Sequence, residues 1–308
     1  MFENLFSRNG LSLERLRAIA EVAAKGGIAA AVGDDPSRQS LYSRQIGELS
    51  EFFGAELTRR DGKGIALTTD GRRLSEAAMQ IFAVLDSYAR DTKKESIILS
   101  LGAGSSIAQW LVIPALADIQ RTCPDIQMAL HNRRTQEIVK ELRTYTLDSA
   151  IIETGSVDPS MKYQTLGTLE YALFMPAAKV KDSSDQRKLK HLLESIPLAS
   201  QEHDSAYSRR LLQSAQAARA RIHVTLECES YPEMAAAVLA GTHGAILPTI
   251  ARSILGDGVE ILRAPQFANH SQSLCLAWNP HLARVKPSSL THMKAIADIL
   301  TARLASAA

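Results

Sequence analysis

Apolar positions in the first ninety residues follow helical periods punctuated by turn chemistry. Leu13, Leu16, Ile19, Ala20 and Ala23 recur three or four residues apart and predict a helix, with Ser12 as its N-cap and Gly26-Gly27 as its end. Ile28 to Val32 reads as a short alanine-rich helix. Asp35-Pro36-Ser37 is a start signal, because Asp or Ser caps free N–H groups and proline fits a first turn. The helix that follows, about Arg38 to Phe53, is expected to bury Leu41, Ile46, Leu49, Phe52 and Phe53 and to close on Gly54. Leu57-Thr58-Arg59-Arg60, a turn at Asp61-Gly62-Lys63-Gly64 and Ile65-Ala66-Leu67 predict a β-hairpin. Thr68 or Thr69 then caps a helix to about Asp91, in which Leu74, Ala78, Ile81, Leu85 and Tyr88 alternate at spacings of four and three. That spacing is a coiled-coil seam for self-association; packing on its own domain is the alternative.

After the polar break Asp91-Thr92-Lys93-Lys94-Glu95 the period changes. Ile97 to Leu101 is a buried strand, Gly102 to Ser106 a glycine-rich turn, and Ile107, Leu111, Ile113 and Leu116 mark a helix. Strands at Ile126–Leu130 and Ser149–Ile152 flank a helix through Ile138, Val139 and Leu142. A second series of strands and helices runs from Tyr171 to Leu247, before a returning strand, Ser273–Trp278, and a last helix, Leu290–Leu304. Alternation of this kind predicts α/β architecture with a mostly parallel sheet.

Composition adds bounds. The 308 residues suit two or three domains, and 45% hydrophobic with 22% charged is ordinary for a globular chain. No apolar run reaches the roughly 18 residues of a membrane span and no secretory h-region opens the chain, so a cytoplasmic protein with no membrane partner is expected. Cys123, Cys228 and Cys275 are odd in number and far apart, which predicts buried thiols rather than disulfides or a metal site.

Helix, turn, helix and basic hairpin in about fifty residues form the layout of a winged helix-turn-helix. Arg38, Gln39, Ser40, Ser43 and Arg44, on the N-terminal half of the second helix, are candidates to meet base edges and phosphates; Tyr42 belongs to the same set. Arg59, Arg60 and Lys63 on the hairpin suit neighbouring phosphates. A merely solvated polar face is the competing explanation. Residues 1–70 hold nine basic side chains against ten acidic ones, so the positive charge is local to that face and tight binding requires more than one copy.

These residues resemble the LysR-type transcriptional regulators. The family's helix-turn-helix pattern is met by Gly26, Ile28, Ala31, Ser43, Arg44, Gln45 and Ile46, and its wing pattern by Leu57, Arg60, Gly64, Leu67, Thr68 and Gly71. Departures fall at Val32, Asp35, Arg38-Gln39-Ser40 and Tyr42. The resemblance implies an N-terminal all-α winged helix-turn-helix (1–68), a dimerising linker helix (69–94) and a two-lobed effector domain (95–308) like the periplasmic binding proteins. In that domain lobe one would be 95–168 with 270–308, and lobe two 169–269. It further implies double-stranded DNA, a small-molecule effector, a second copy of the chain as dimer or tetramer, and RNA polymerase as partners, with no cofactor.

Effector candidates are the turn residues Gly104, Ser105 and Ser106, where free N–H groups and a helix dipole favour an anion, with Thr135 and Gln136 on the same edge and Ser230 and Tyr231 in lobe two. Plain N-capping also explains the serines. A dinucleotide-dependent oxidoreductase is the rival reading, since Gly102-x-Gly104 follows a strand and Asn132-Arg133-Arg134 follows the next. Ile107 replaces its third glycine and no Tyr-x-x-x-Lys pair exists, so catalysis is not predicted. A two-lobed solute-binding protein is disfavoured by the missing export signal.

Overall fold

The computed structural model describes residues 2–33, 35–61, 64–92, 97–144, 146–180, 187–280, 282 and 287–307. Lys63 at the hairpin tip and the Lys93–Glu95 part of the polar break lie outside them. The chain divides into an N-terminal unit and a larger unit from Ile97 onward.

In the first unit, α1 (Leu13–Lys25) begins where Ser12 Oγ accepts from Arg15 N at 3.2 Å, and it ends on left-handed Gly26. A short helix, α2 (Ile28–Val32), leads to α3 (Pro36–Phe53). Asp35 caps α3, its Oδ1 accepting from Ser37 N at 2.9 Å and Arg38 N at 3.2 Å. The hairpin pairs β1 (Thr58–Asp61) with β2 (Gly64–Leu67), setting Arg59 opposite Ala66 and Arg60 opposite Ile65. Thr68 Oγ1 accepts from Gly71 N at 3.0 Å and starts α4 (Thr69–Thr92). One core joins these pieces through Leu16, Ile19, Ile46, Leu49, Leu57 and Leu67.

One helical face differs from expectation. Leu41 is 40% exposed and Phe53 41%, whereas Tyr42 is 6% exposed and packs in the core. Tyr42, Ile46 and Leu49 form the i, i+4, i+7 stripe that faces α1, and Leu41 lies about 100° off it. A short hydrogen bond from the Tyr42 hydroxyl to Glu21 satisfies the buried polar atom.

The second unit contains two sheets. In the first, β3 (Ile97–Ala103) runs parallel to β4 (Ile126–Asn132) and β5 (Ser149–Glu153), and β12 (Gln272–Trp278) runs antiparallel to β5 and β6 (Lys162–Leu169), giving the order β4-β3-β5-β12-β6. In the second, β7 (Tyr171–Pro176) is flanked antiparallel by β10 (Ala245–Pro248) and β11 (Val259–Leu262). A parallel pair, β8 (Leu198–Gln201) with β9 (Val224–Cys228), joins it through a bridge between Leu198 and Gly244. The expectation of a mostly parallel sheet is therefore corrected: both sheets are mixed. The chain passes between them at Glu170 and returns at Ser271, entering the first sheet as β12, which pairs antiparallel with both β6 and β5. Strands β6 and β11 were not expected; β6 buries only Leu166 and Leu169, too few to produce an apolar run.

Three helices position the candidate residues. Ser105–Ile107, a π-helical stretch Ala108–Val112 and Ile113–Thr122 form one continuous helix, α5, after β3. After β4 comes α6 (Thr135–Arg143). In the second sheet's lobe, α7 (Arg187–Ser195) and α8 (Ala206–Ala217) precede α9 (Tyr231–Leu239), which follows β9. The last helix, α10 (Pro287–Ala307), packs on the first sheet. Gly102 lies within β3 rather than in a turn: a Cβ there would sit 2.5 Å from Leu147 Cδ1, so close packing explains the glycine.

Candidate functional site

On α3 the side chains of Arg38, Ser40, Ser43 and Arg44 are exposed, and Arg59 and Arg60 are exposed on the hairpin. Gln39 is partly committed, its Nε2 donating to Gly33 O at 2.8 Å. Arg44 Nε lies 3.8 Å from Glu48 Oε1, a long surface pair, while Glu48 also holds Arg15 through a short contact. Such an exposed pair contributes little, so Arg44 can be redirected to a ligand. Tyr42 cannot reach outward. The hydrogen bond to Glu21, then burial, raise its phenol pKa, and the hydroxyl stays protonated in the core. It is removed from the outward-facing set. Leu41, which the helical pattern had placed inside, stands on the exposed face instead, where an apolar side chain suits a thymine methyl group.

The seam on α4 divides in two. Ala78 is fully buried and Leu74 packs against the core of its own unit, so these two expected dimer contacts are used inside the protomer. Beyond them Ile81, Val84, Leu85 and Tyr88 are 43–69% exposed and leave an apolar stripe on the outer half of the helix. The first half of α4 is anchored by α1 and, at Gly71, by the hairpin, which explains why one period serves two surfaces.

A cleft of about 910 Å³ lies between the two lobes of the second unit. Parallel strands explain its walls. Ala103 of β3 pairs with Asn132 of β4, so Gly104-Ser105 and Arg134-Thr135 emerge at the same sheet edge. Gln201 of β8 pairs with Cys228 of β9, and Glu229-Ser230 emerge beside Gln201. Gly104, Ser105, Thr135 and Ser230 line the cleft, as do Arg134, Gln201 and Glu229, which the sequence had not singled out as effector ligands. Ser106 is 7% exposed and lies outside the lining, as does the exposed Gln136. Tyr231 is also outside it. Its ring packs 5.8 Å from Tyr171 and 5.6 Å from Tyr207, an aromatic cluster rather than a ligand wall. These three candidates are corrected: Ser106 and the Tyr231 ring pack into the fold, whereas Gln136 is exposed on α6 away from the cleft lining.

The same aromatic cluster encloses His270, which is 0% exposed between Tyr171 (5.7 Å) and Tyr207 (5.5 Å). Neither ring nitrogen has a hydrogen-bond partner of normal geometry among the described residues. Burial, then the Arg210 charge, lower its pKa to about 4, with a backbone group of Arg210 acting weakly the other way. Tyr171 donates to Gln272 Oε1 at 3.3 Å, tying together the two segments that cross between lobes. Cys123, Cys228 and Cys275 are buried, and burial raises all three thiols. A reactive thiolate needs the opposite shift.

Comparison with known proteins fits this two-unit architecture. Residues 94–293 match the LysR substrate binding domain. Similar relatives include an uncharacterised HTH-type transcriptional regulator YfeR of Shigella flexneri, 28% identical over 152 residues (48% of this chain and 48% of that protein). The HTH-type transcriptional regulator TrpI of Pseudomonas aeruginosa is 32% identical over 128 residues, 40% of this chain and 43% of its own length. The chain spans about half the length of the curated relatives it matches. Among solved structures, a full-length OxyR variant from Pseudomonas aeruginosa shares the fold with TM-score 0.64 and 19% identity, over 95% of both chains. CbnR in complex with its target DNA does so with TM-score 0.57 and 16% identity, over 94% of this chain and 100% of that one. This chain belongs to the LysR family of transcriptional regulators. Its relatives are regulators rather than enzymes. No helix among the described residues is long and apolar enough to cross a membrane.

Proposed function

We propose that this protein is a cytoplasmic DNA-binding regulator whose duplex contacts are made by Arg38, Gln39, Ser40, Leu41, Ser43 and Arg44 of α3 with Arg59, Arg60 and Lys63 of the hairpin. The carrying observation is that α3 turns its apolar stripe into the core and leaves its polar N-terminal half exposed, in the same unit as a basic hairpin. Helices presented this way enter a major groove. Self-association through Ile81, Leu85 and Tyr88 pairs two such surfaces, as dimer or as tetramer, on one operator and offers contacts to RNA polymerase. The domain assignment follows: 1–68 reads DNA, 69–94 pairs subunits, and 95–308 senses.

A small effector bearing an anionic group occupies the interlobe cleft at Gly104, Ser105, Thr135 and Ser230, where first-turn N–H groups of α5 favour negative charge. Its binding favours one relative arrangement of the lobes, and coupling of ~1–3 kcal/mol suffices to alter operator affinity. Fluorescence anisotropy with duplexes from the gene's own neighbourhood tests this. Arg44→Ala is expected to cost ~1–3 kcal/mol of DNA affinity and lower the salt slope by about one, with effector binding retained. Ser105→Ala is expected to weaken the effector-induced shift with basal DNA binding retained. An Arg44→Ala variant that keeps its DNA affinity and loses its effector response contradicts the assignment.

A further inference from the structure

Six charged side chains stand around the interlobe cleft and the recess of about 220 Å³ beside it. Three are already committed. Arg133 Nε donates to Glu141 Oε1 at 2.9 Å. Glu137 Oε2 accepts from Arg134 N at 3.1 Å, capping α6. Glu233 Oε2 accepts from Glu229 N at 2.8 Å and Ser230 N at 3.3 Å, capping α9. The other three, the Arg134 guanidinium and the carboxylates of Glu202 and Glu229, have no ion-pair partner among the described residues. Their distribution is not random. Arg134 follows β4 in one lobe, while Glu202 follows β8 and Glu229 follows β9 in the other. Arg134 and Glu229 both line the large cleft and the small recess, so one small molecule can reach both. Opposite charges on opposing walls are poorly suited to a purely anionic ligand, which would meet the two carboxylates of lobe two.

We infer that the cleft takes a zwitterion, an α-amino acid or closely related amino-carboxylate, with its carboxylate at Arg134 and the Ser105 turn and its ammonium at Glu229 and Glu202. This rests on the cleft being the effector site and specifies the ligand class for it. Each end spans one lobe, so the ligand closes the cleft by neutralising both walls. The amides of Asn132 and Gln201, also in the lining, suit a polar side chain.

Calorimetric titration of the full-length protein with each of the twenty common L-amino acids tests the idea, every hit being repeated with its deamino acid and its decarboxylated amine. At least one amino acid should bind, and each one-charge analogue should bind about tenfold or more weakly, as expected for loss of a charge-assisted hydrogen bond. Glu229→Gln should erase the preference over the deamino acid, and Arg134→Gln the preference over the amine. Both positions are exposed, so ligand-free melting should be unchanged. If the melting of the two single variants and the double variant reveals direct Arg134–Glu229 coupling and no amino acid binds, the charges serve each other and the proposal fails. It fails equally if no amino acid binds for any other reason, or if the deamino acid binds as well as its parent. Plain carboxylates that bind and shift operator affinity would leave the effector cleft standing and remove only the zwitterion. Amino acids that bind through Arg134 and Glu229 without altering operator affinity would do the reverse.

Discussion

Replacing Gly71 by alanine tests the packing that holds the hairpin against α4. An added Cβ would lie 2.1 Å from the Leu57 carbonyl oxygen, 3.1 Å from its carbon and 3.3 Å from Leu67 Cβ. Carbon–oxygen contacts in proteins normally lie at ~3.3–3.6 Å, so the start of α4 must retreat from Leu57 by about 1 Å. The obstacle is backbone, and no rotamer change relieves it. That same carbonyl accepts from Thr68 N at 3.0 Å, a bond the retreat breaks or stretches. Overpacking costs about 1–3 kcal/mol. An unsatisfied backbone acceptor costs about 1–3 kcal/mol. Alanine's better helix propensity returns roughly 0.5–1 kcal/mol. The expected net loss is about 1–5 kcal/mol, large against a domain stability of ~5–15 kcal/mol. Gly47→Ala is the control: it is helical with nothing within 4 Å, and it should stabilise by about 0.5–1 kcal/mol. Both tryptophans, Trp110 and Trp278, lie in the second unit, so their fluorescence in urea follows that unit while circular dichroism also follows the helical N-terminal one. The Gly71→Ala transition should move to lower urea by circular dichroism with the tryptophan transition in place. An unchanged circular dichroism midpoint, or a shift confined to tryptophan, would refute the packing argument.

Two further outcomes are expected. In the unfolded chain His270 titrates near 6.5 and in the fold at about 4, so between these values the unfolded state holds more protons and stability falls as pH drops. The loss should approach ~3 kcal/mol by pH 4; His270→Phe, measured by urea unfolding across pH 4–7 beside the parent, should flatten that part of the profile, and parallel profiles would refute the buried-neutral assignment. Leu85→Asp, on the exposed stripe of α4, should yield a smaller species in sedimentation velocity with its unfolding midpoint retained, whereas an unchanged sedimentation coefficient would remove the stripe from subunit pairing.

The local grammar of the chain was legible in its residues. Ser12, Asp35, Thr68 and Gly54 each carry their capping chemistry within three or four positions, so the helix boundaries of the first unit follow from nearest neighbours. The exchange of Leu41 and Tyr42 was not legible. Both are large and apolar, and the choice between them depends on where α1 packs and on Glu21 waiting there for a hydroxyl. Nor was β6 legible, because an edge strand can carry polar residues that a central strand cannot. The cleft shows the same limit at longer range. A glycine-serine turn announces a helix start, but Arg134 and Glu229 are nearly a hundred residues apart. They share a cavity only because parallel strands in two lobes end at facing edges. Periodicity and capping are written in short stretches of chain; which charges meet across a cleft is decided by strand order and by where the chain crosses between sheets.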